Sequence, residues 1–559
     1  MMLRLLCLPA LLLLLAQLSL RAQTNSPTAL TAADAAAAGK LFGLHFTPEQ
    51  NEQMLPGLRD QARDYDVIHQ FPLSNAVPSA MLFNPLPVGF KFETARRPFR
   101  LKPLPKFKRP AQLDDLAFCS VTELAALLKT RQMTSVELTQ FYLGRLKQFG
   151  PRLECVITLT EDQALEQARR ADREIAAGHY RGPLHGIPYG VKDLLATRGI
   201  RTTWGSAPYT NQVIDADATV VQRLADAGAV LVAKLTLGEL AMGDVWYGGT
   251  TRNPWNVRQG SSGSSAGPAA ATAAGLLAFA IGTETHGSIV SPCERCGVTG
   301  LRPTYGRVSR TGAMSLSPSM DKIGPIARTV EDCAIILQAI QGPDGIDQTL
   351  YDAPFNYDAT KKWQGLRIGY LRDDFESDRG DRRTNEFAAL DQMRKLGAKL
   401  VPVSLPKLPA NAISFVLSVE GAAEFDDLTR SGQDALLARQ SRGAWPNIFR
   451  TAQLVPAVEY LQANRIRYLL IQATAAALRY VDVFLAPPFT GECHLISNLT
   501  GHPCVVVPDG FTKDGAPTSI CFLGNLFRDA ETLMVAQAYQ EVTGFHKKHP
   551  DLSALVGGK

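Results

Sequence analysis

Short apolar runs alternate with longer amphipathic stretches along most of the chain. Such runs are typical of buried strands, and they lie at residues 189–192, 229–233, 277–281, 366–370, 481–486 and 504–507. Stretches with apolar residues three and four positions apart predict helices between them, for example over 161–177, 217–228 and 385–397. Strands and helices that alternate in this way predict an α/β fold, with one sheet covered by helices on both faces.

The first 22 residues have a pattern of their own. Met1-Met-Leu-Arg4 supplies positive charge, residues 5–15 are strongly apolar, and residues 18–22 suit a cleavage site. The apolar run is too short to span a bilayer, and polar sequence follows it. Residues 1–22 are therefore predicted to be a signal peptide, which implies export to the periplasm or the extracellular space and no stable membrane insertion. A retained amphipathic anchor is the alternative.

Three further regions follow the predicted signal peptide. Residues 23–112 are interpreted as a helical extension and a proline-rich linker, with two short helices within 30–68 and Thr47 as a helix cap. Residues 113–546 carry the alternating α/β pattern, and residues 547–559 form a C-terminal tail. The pattern leaves open whether the extension covers a site or mediates assembly, for example as a homodimer.

Composition and net charge indicate whether the protein binds nucleic acid. Hydrophobic residues make up 45% of the chain and charged residues 20%, which is ordinary for a soluble globular protein, and the net charge is only +5. The most basic segment, residues 95–109, is interrupted by prolines. This pattern favours a solvated linker over a nucleic-acid contact, so no nucleic-acid partner is predicted.

Eight cysteines lie outside the predicted signal peptide. Export permits disulfides, but the cysteines are scattered. Cys293 and Cys296 have a C-x-x-C spacing, yet a structural zinc site needs two more ligands in a comparable cluster. Buried thiols are therefore the preferred interpretation and no metal is predicted, while a Cys293–Cys296 disulfide stays open.

Three segments carry the candidate chemistry. A lysine ends the run Gly186-Ile-Pro-Tyr-Gly-Val-Lys192, and the serine-glycine block Gly260-Ser-Ser-Gly-Ser-Ser-Ala-Gly267 and the segment Gly282-Thr-Glu-Thr-His-Gly-Ser288 follow. Small residues let backbone amides approach a ligand closely. Serines beside a lysine can make a nucleophile without histidine, so these segments together indicate hydrolysis of an acyl bond.

These segments and their order resemble the amidase signature family. The resemblance rests on residues 182–193, 202–206, 253–256, 260–267, 282–289, 297–306, 324–328 and 498–503, and it covers roughly residues 114 to 546. It implies a large twisted mixed β-sheet with helices on both faces. It also implies a hydrolase that cleaves the C–N bond of a small-molecule amide through a seryl acyl-enzyme, with no metal or organic cofactor. Together with the predicted signal peptide, this indicates an exported amidase.

The resemblance assigns a role to each residue of a Ser–cisSer–Lys triad. Ser288 is the expected nucleophile, and Ser264, after a cis peptide bond, is the expected proton relay. Lys192 is the expected base, which burial and hydroxyl hydrogen bonds keep neutral near neutral pH. Ser265 is expected to support the triad by hydrogen bonding.

The resemblance also places an oxyanion hole at the amides of Thr285, His286, Gly287 and Ser288. The chain departs from the family pattern in this segment. A histidine stands where the family usually has glycine, and its ring either contacts substrate or fills space.

Two further departures flank the nucleophile. Glu284, a candidate supporting residue, replaces the usual aspartate, and Val290 replaces the usual arginine two positions after the nucleophile. We hypothesise that these two changes are linked and together reshape the surroundings of the site.

Three alternatives remain open. Gly263-Ser-Ser-Ala-Gly267 fits the nucleophile elbow of α/β-hydrolases, which would make Ser265 the nucleophile of an esterase, although the residues before it form a poor strand. A second alternative is the glutaminase-type A subunit of a tRNA-dependent amidotransferase, and a third is an inactive amidase fold used for binding. Substrate identity and amide or ester preference stay open, and specificity is expected in loops between residues 373 and 468.

Overall fold

The computed structural model describes residues 30–70, 73–377 and 380–556. Their contacts divide the chain into two compact units, one ending at Ser74 and the other beginning at Asn75. Within the described ranges, no helix is both long and apolar enough to cross a bilayer. The predicted signal peptide lies outside the described residues, and the domain boundaries expected at residues 112 and 546 stay predictions.

The first unit contains the two helices that the sequence predicts, α1 (Ala32–Leu41) and α2 (Pro48–Ile68), although α2, with 21 residues, is longer than predicted. Thr31 and Thr47 each cap the helix that follows, accepting a hydrogen bond from the backbone amide three residues on. The side chain of that third residue accepts a bond from the threonine amide, so two backbone groups that a helix start leaves unpaired are satisfied. The capping role predicted for Thr47 is confirmed.

The second unit is built on a large mixed sheet, with two small two-stranded sheets beside it. The strands are β1 Val156–Leu159, β2 Pro188–Lys192, β3 Val230–Leu235, β4 Val245–Trp246, β5 Gly249–Thr250, β6 Arg252–Asn253, β7 Asn256–Gly260, β8 Phe279–Glu284, β9 Thr299–Arg302, β10 Lys322–Ala327, β11 Ile368–Leu371, β12 Leu400–Val403, β13 Val483–Ala486, β14 Cys504–Phe511 and β15 Pro517–Gly524. The large sheet has eleven strands in the order β1-β3-β2-β8-β10-β9-β14-β15-β13-β11-β12.

Helices lie between most of these strands. The α-helices are α3 Val121–Lys129, α4 Ser135–Leu153, α5 Glu161–Ala176, α6 Thr219–Asp226, α7 Ala266–Ala273, α8 Val290–Cys296, α9 Val330–Ile340, α10 Arg372–Ser377, α11 Arg382–Lys395, α12 Phe415–Glu424, α13 Asp426–Arg430, α14 Trp445–Ala452, α15 Ala457–Leu478, α16 Cys493–Leu499, α17 Asp529–Thr543 and α18 Ser553–Val556. Short 3₁₀ helices are Leu113–Phe118, Ala207–Tyr209, Glu239–Ala241, Gln433–Leu436 and Phe545–Lys547.

Each face of the large sheet has its own apolar core. Along β3, Leu231 packs in one core while Val230 and Val232 pack in the other, and along β14 Val505 and Val506 divide in the same way. This follows from the strand itself, because successive side chains point to opposite faces. A strand buried on both faces is a continuous apolar run, which is the pattern that the sequence displays. The predicted α/β fold with a large mixed sheet is confirmed.

The apolar runs do not predict every strand of the large sheet, and they miss β1, β9, β10, β12 and β15. Strand β10 contains Gly324 and Pro325, residue types that normally argue against a central strand. It nevertheless pairs with β8 on one side and β9 on the other, both antiparallel. Strand β15 begins with the polar segment Pro517-Thr-Ser519. In both strands, tertiary pairing overrides the local preference.

Candidate active site

Lys192 lies at the end of β2, beside the end of the neighbouring parallel strand β8. Adjacent parallel strands end at the same edge of a sheet, so the lysine and the residues that close β8 come together there. The Lys192 Nζ donates to Ser264 Oγ at 2.8 Å and to Thr283 Oγ1 at 2.8 Å. The Thr283 carbonyl oxygen lies 3.5 Å from the same nitrogen. The amine is therefore held by hydroxyl and carbonyl groups.

The surroundings of Lys192 favour its neutral form. Burial lowers the pKa of the Lys192 amine to about 7, and the nearby carboxylates of Asp321 and Glu284 only partly oppose this. Within the part of the chain that the structure describes, no carboxylate forms an ion pair with Lys192. An amine with a pKa near 7 can accept a proton at neutral pH, as a general base must.

Ser264 and Ser265 connect the lysine to the segment that carries Ser288. The peptide bond between Gly263 and Ser264 is cis. The Ser265 amide donates to the Ser288 carbonyl oxygen at 3.0 Å, and the Ser265 hydroxyl donates to the Thr283 carbonyl oxygen at 3.0 Å. The Thr283 amide donates back to that hydroxyl at 3.1 Å. Ser265 therefore joins the serine-glycine block to the end of β8.

Solvent exposure rises in order along the three residues of the expected triad. Lys192 is fully buried, Ser264 is 1% exposed and Ser288 is 7% exposed. The amine that would act as base thus belongs to the least exposed residue of the three, and the expected nucleophile Ser288 is the most exposed, although it too is buried. This order suits a proton relay from an accessible serine to an enclosed lysine.

Close backbone approach explains two of the glycines in these segments. A Cβ on Gly263 would lie 1.8 Å from the Gly243 carbonyl oxygen, and a Cβ on Gly282 would lie 2.8 Å from Ser265 Oγ. Any side chain at either position would collide with the site. Close packing within the protein therefore accounts for these two glycines, and the close approach of backbone to a ligand stays a prediction.

The segment expected to form the oxyanion hole turns away from β8 toward α8. Gly287 has a φ of 92°, a left-handed conformation that glycine adopts without steric cost. The Thr285 hydroxyl donates to Asp321 Oδ1 at 2.6 Å, and the Ser291 amide donates to the Gly287 carbonyl oxygen at 2.8 Å. Both ends of the turn are therefore fixed before a substrate arrives, which is what electrostatic stabilisation of an oxyanion requires.

Glu284 lies beneath this turn, fully buried. Its carboxylate accepts hydrogen bonds from the amides of Ile289 and Val290, both at 2.9 Å, and from Arg302 Nη1 at 2.7 Å. Burial alone would raise the pKa of Glu284, but the Arg302 guanidinium and the hydrogen bond from the Val290 amide hold that pKa well below its usual range. The ionised carboxylate thus ties the backbone after Ser288 to the sheet.

His286 is exposed at the mouth of the site, and its ring stacks on the buried ring of His494 with centroids 5.3 Å apart. His494 in turn lies against the turn, because a Cβ on Gly287 would be 3.1 Å from its Nε2. Burial lowers the pKa of His494 to about 3, so its ring is neutral at physiological pH. The two rings therefore form one wall beside the predicted oxyanion hole.

The structure brings most of the sequence-predicted site residues together, and it adds others. Lys192, Ser264 and Ser265 are linked by hydrogen bonds to the end of β8, and Ser288 follows directly. Sequence reasoning missed five residues that hold this arrangement: Thr283, Arg302, Asp321, His494 and Asn498, whose amide donates to Glu284 at 3.0 Å. Thr283, Arg302 and Asn498 stand inside quoted motifs, but nothing in the motifs shows where their side chains point. The catalytic roles themselves stay predictions.

The geometry weighs against Ser265 as a nucleophile. Its side chain is fully buried, and its hydroxyl is engaged by both backbone groups of Thr283. The sequence indicates a poor strand before Ser265. This expectation is wrong in one respect, because residues 256–260 do form strand β7. That strand pairs only with β6 in a two-stranded hairpin, whereas a nucleophile elbow follows a strand of the main sheet.

The cysteines and acidic residues show no metal-binding arrangement in the described ranges. No group of three or more histidine, cysteine, aspartate or glutamate side chains there is placed to hold a metal ion. The eight described cysteines are buried free thiols, Cys293 and Cys296 among them. Burial raises the pKa of Cys296, so its thiol stays protonated.

Comparison with known proteins connects this site to a family. Residues 137–497 match the family model described as Amidase. A protein of Roseiflexus sp. (strain RS-1), named as the A subunit of glutamyl-tRNA(Gln) amidotransferase, is 37% identical over 481 residues, which cover 78% of this chain and 98% of that protein. The protein of the same name from Methylococcus capsulatus is also 37% identical, over 77% of this chain and 98% of its own length.

Solved structures give the same result. The native peptide amidase from Stenotrophomonas maltophilia is 34% identical with a TM-score of 0.70, covering 78% of this chain and 98% of that one. The A subunit of glutamyl-tRNA(Gln) amidotransferase from Thermotoga maritima is 28% identical with a TM-score of 0.64, covering 76% and 95%. The ordered motifs, the mixed sheet and these matches agree, and the chain belongs to the amidase family.

Proposed function

We propose that this chain hydrolyses the C–N bond of a small-molecule carboxylic amide through an acyl-enzyme on Ser288. The observation that carries the proposal is the buried Lys192 amine, whose Nζ lies 2.8 Å from Ser264 Oγ and has no carboxylate in contact among the described residues. Membership of the amidase family supports the reaction class.

The first half-reaction forms the acyl-enzyme. Neutral Lys192 takes the proton of Ser264 as Ser264 takes that of Ser288, and the Ser288 oxygen attacks the amide carbonyl carbon. Negative charge that develops on the carbonyl oxygen is stabilised by backbone amides of residues 285–288. The proton then returns through Ser264 to the leaving nitrogen, and the C–N bond breaks.

The second half-reaction repeats these steps with water. Water enters where the amine has left and gives its proton through Ser264 to Lys192 while its oxygen attacks the acyl carbon. The carboxylic acid leaves and the Ser288 hydroxyl is restored. Every step is a proton transfer or an acyl transfer, so the side chains of the site supply all the groups that the reaction uses.

A second candidate function is glutamine hydrolysis as the A subunit of a tRNA-dependent amidotransferase. The names of the curated relatives favour it, since proteins 37% identical over almost their whole length carry that name. Among the solved structures, the peptide amidase has the higher identity and TM-score. The predicted signal peptide also supports a free hydrolase, because an exported chain does not meet cytosolic tRNA.

Fluorophosphonate labelling tests the proposed nucleophile. We expect the reagent to modify Ser288 in the native protein, as shown by mass spectrometry of the labelled peptide, and to leave the Ser288→Ala variant unlabelled. Label on Ser265 would overturn the assignment in favour of the nucleophile elbow. The Ser265→Ala variant, which removes the neighbouring hydroxyl, is the matched control and should still carry label on Ser288.

A substrate panel separates the two functions. A free amidase should release ammonia or an amine from simple amides without any partner protein. A glutaminase subunit should act on glutamine, with activity that depends on co-purifying partner proteins and on charged tRNA. A complete absence of hydrolysis across amides, esters and glutamine would favour a binding protein with an inactive amidase fold.

The predicted export is tested separately. We propose that residues 1–22 direct secretion and are removed. Fusion of these residues to a reporter that folds only outside the cytoplasm should give activity, and the processed protein should begin after Ala22. Retention of the full N-terminus on a cytoplasmic protein would contradict the proposal.

A further inference from the structure

Arg439 is a partly buried cation near the site that has no partner for its guanidinium. Within the described ranges, its side chain forms no hydrogen bond, ion pair or ring contact. Arginine side chains that are partly removed from water normally find a carboxylate, a carbonyl or an aromatic face. Within the described ranges, Arg439 is therefore an exception to this rule.

The guanidinium points to the segment that supports Ser264. A Cβ on Gly243 would meet Arg439 Nη1 at 3.2 Å. The carbonyl oxygen of Gly243 packs against Gly263, and the Gly238 amide donates to the Ser264 carbonyl oxygen at 3.3 Å. One short stretch of backbone thus separates Arg439 from the proposed proton relay.

Buried contacts fix the loop that carries Arg439 on this segment. The Ala438 amide donates to Glu239 Oε2 at 2.8 Å, and the Ser206 hydroxyl donates to Glu239 Oε1 at 3.0 Å. The Trp445 indole donates to the Leu240 carbonyl oxygen at 3.0 Å. These contacts hold the loop in place on both sides of Arg439, unlike the backbone around a free surface arginine.

Two acidic residues of the segment beside Arg439 are already engaged elsewhere. Glu239 accepts the hydrogen bonds just described, and Asp244 accepts one from the Ser262 amide at 2.9 Å. Neither forms an ion pair with Arg439 within the described residues. A guanidinium in this setting presents a planar set of donors that matches a carboxylate.

We infer that Arg439 binds a carboxylate on the leaving-amine portion of the substrate. The inference rests on the proposed function, in which the leaving nitrogen takes its proton from Ser264 and therefore lies on the Ser264 side of the site. Arg439 lies on that side, beside Gly243, whose carbonyl oxygen packs against Gly263. The substrate class is an N-acylated amine whose amine portion carries a carboxylate, as in an N-acyl amino acid.

A pair of chromogenic amides tests this inference. The first is a para-nitroanilide, and the second is the same anilide with a carboxylate ortho to the nitro group, each prepared with acetyl, butyryl and phenylacetyl acyl groups. We expect the native protein to prefer the carboxylated anilides in kcat/KM. Arg439→Gln should lower kcat/KM by about 10- to 100-fold on the carboxylated anilides, the range for a hydrogen bond to a charged group.

Three controls keep the test specific. The Arg439→Gln variant should cleave the neutral anilides as well as the native protein does, which excludes misfolding. Arg442→Gln removes an exposed positive charge three residues along the same loop and should change neither substrate class. The free carboxylated nitroaniline should protect Ser288 from fluorophosphonate in the native protein and fail to do so in Arg439→Gln.

The outcomes separate the two proposals. Equal kcat/KM for the two anilide classes, or an equal loss on both in Arg439→Gln, would overturn the role of Arg439 and leave amide hydrolysis standing. Where no anilide is cleaved, failure of the carboxylated nitroaniline to protect Ser288 would overturn the inference. Absence of both hydrolysis and label on Ser288 would overturn the proposed function, and the inference with it.

Discussion

Two fully buried lysines lie on neighbouring strands and have different surroundings. Lys234, on β3, lies 3.0 Å from Asp193 Oδ1 and donates to the Leu195 carbonyl oxygen and to Thr202 Oγ1, both at 2.8 Å. Among the described residues, Lys192, on β2, has only hydroxyl and carbonyl partners. Burial lowers the pKa of both amines, but only at Lys234 does a carboxylate in direct contact oppose it.

The difference shows what makes a buried lysine structural or reactive. A contacting carboxylate favours the charged amine, and the pair then serves to hold the strands. A hydroxyl can donate a hydrogen bond to the neutral amine or accept one from the charged amine. Hydroxyl partners therefore suit both protonation states of the lysine, and its proton can move. We therefore expect the same substitution to act differently at the two lysines: it should lower activity at Lys192 and stability at Lys234.

The largest expected effect is on catalysis. Lys192→Met removes the proposed base, and we expect kcat/KM for amide hydrolysis to fall by about 10²–10⁴-fold, the usual contribution of general acid–base catalysis. The free energy of unfolding should not fall at neutral pH, because no buried charge loses its partner and the cost of burying an ionisable amine is removed. Hydrolysis assays and urea unfolding of the same preparation measure both. Activity within about tenfold of the native protein would exclude Lys192 as the base.

The next effect is on stability. Lys234→Met leaves the carboxylate of Asp193 buried without its cation, and breaking such a pair costs about 3–5 kcal/mol. We expect a clearly lower urea midpoint than for Lys192→Met, with native-like activity in the molecules that remain folded. The double variant Lys234→Met with Asp193→Asn should recover part of the loss. Equal stability of the two Met variants would remove the distinction between the lysines.

The third effect is a dependence on pH. Because the pKa of Lys192 is about 7, kcat/KM should rise with pH up to about 7 and then level off. The unfolded chain releases this proton only near 10.5, so the folded state binds fewer protons between these values. Lys192 therefore makes the free energy of unfolding rise with pH across that window, and Lys192→Met should flatten the slope. A flat activity profile from about pH 5 to about pH 9 would contradict the proposed base.

The smallest effect concerns the surroundings of the nucleophile. The Val290 amide donates to Glu284 Oε2, which gives the hypothesised link between these positions a direct contact. Residues in contact usually show coupling energies of about 0.5–3 kcal/mol. We expect a coupling in this range in the activities of Glu284→Asp, Val290→Arg and the double variant. Strictly additive effects would show that the two departures from the family are independent.

The sequence predicts the fold well where burial is continuous. The apolar runs in β2, β3 and β14 mark strands buried on both faces, and their positions agree with the structure. The sequence does not predict strand β10, because the strand contains Pro325. The proline is accommodated by pairing with β8, whose residues lie far from it in the sequence. Pairing between distant strands leaves little trace in local sequence.

The candidate site follows the same rule. Lys192 and Lys234 both come at the end of an apolar run, and Asp193 follows the first of them directly. Local sequence alone would assign that carboxylate to either lysine, and the structure gives it to Lys234. Asp321 fixes Thr285 from 36 residues away, so the motifs could not reveal it. The resemblance to a family identified Lys192, where position alone would not.

The order of exposure along Lys192, Ser264 and Ser288 determines how the protein meets reactive chemicals. A reagent that acylates amines cannot reach the Lys192 nitrogen from solvent directly, because the lysine has no solvent-exposed surface. Surface lysines such as Lys513 are open to the same reagent. We therefore expect amine acetylation to modify the surface extensively while Lys192 stays unmodified, so lysine-directed labelling would not detect the proposed base.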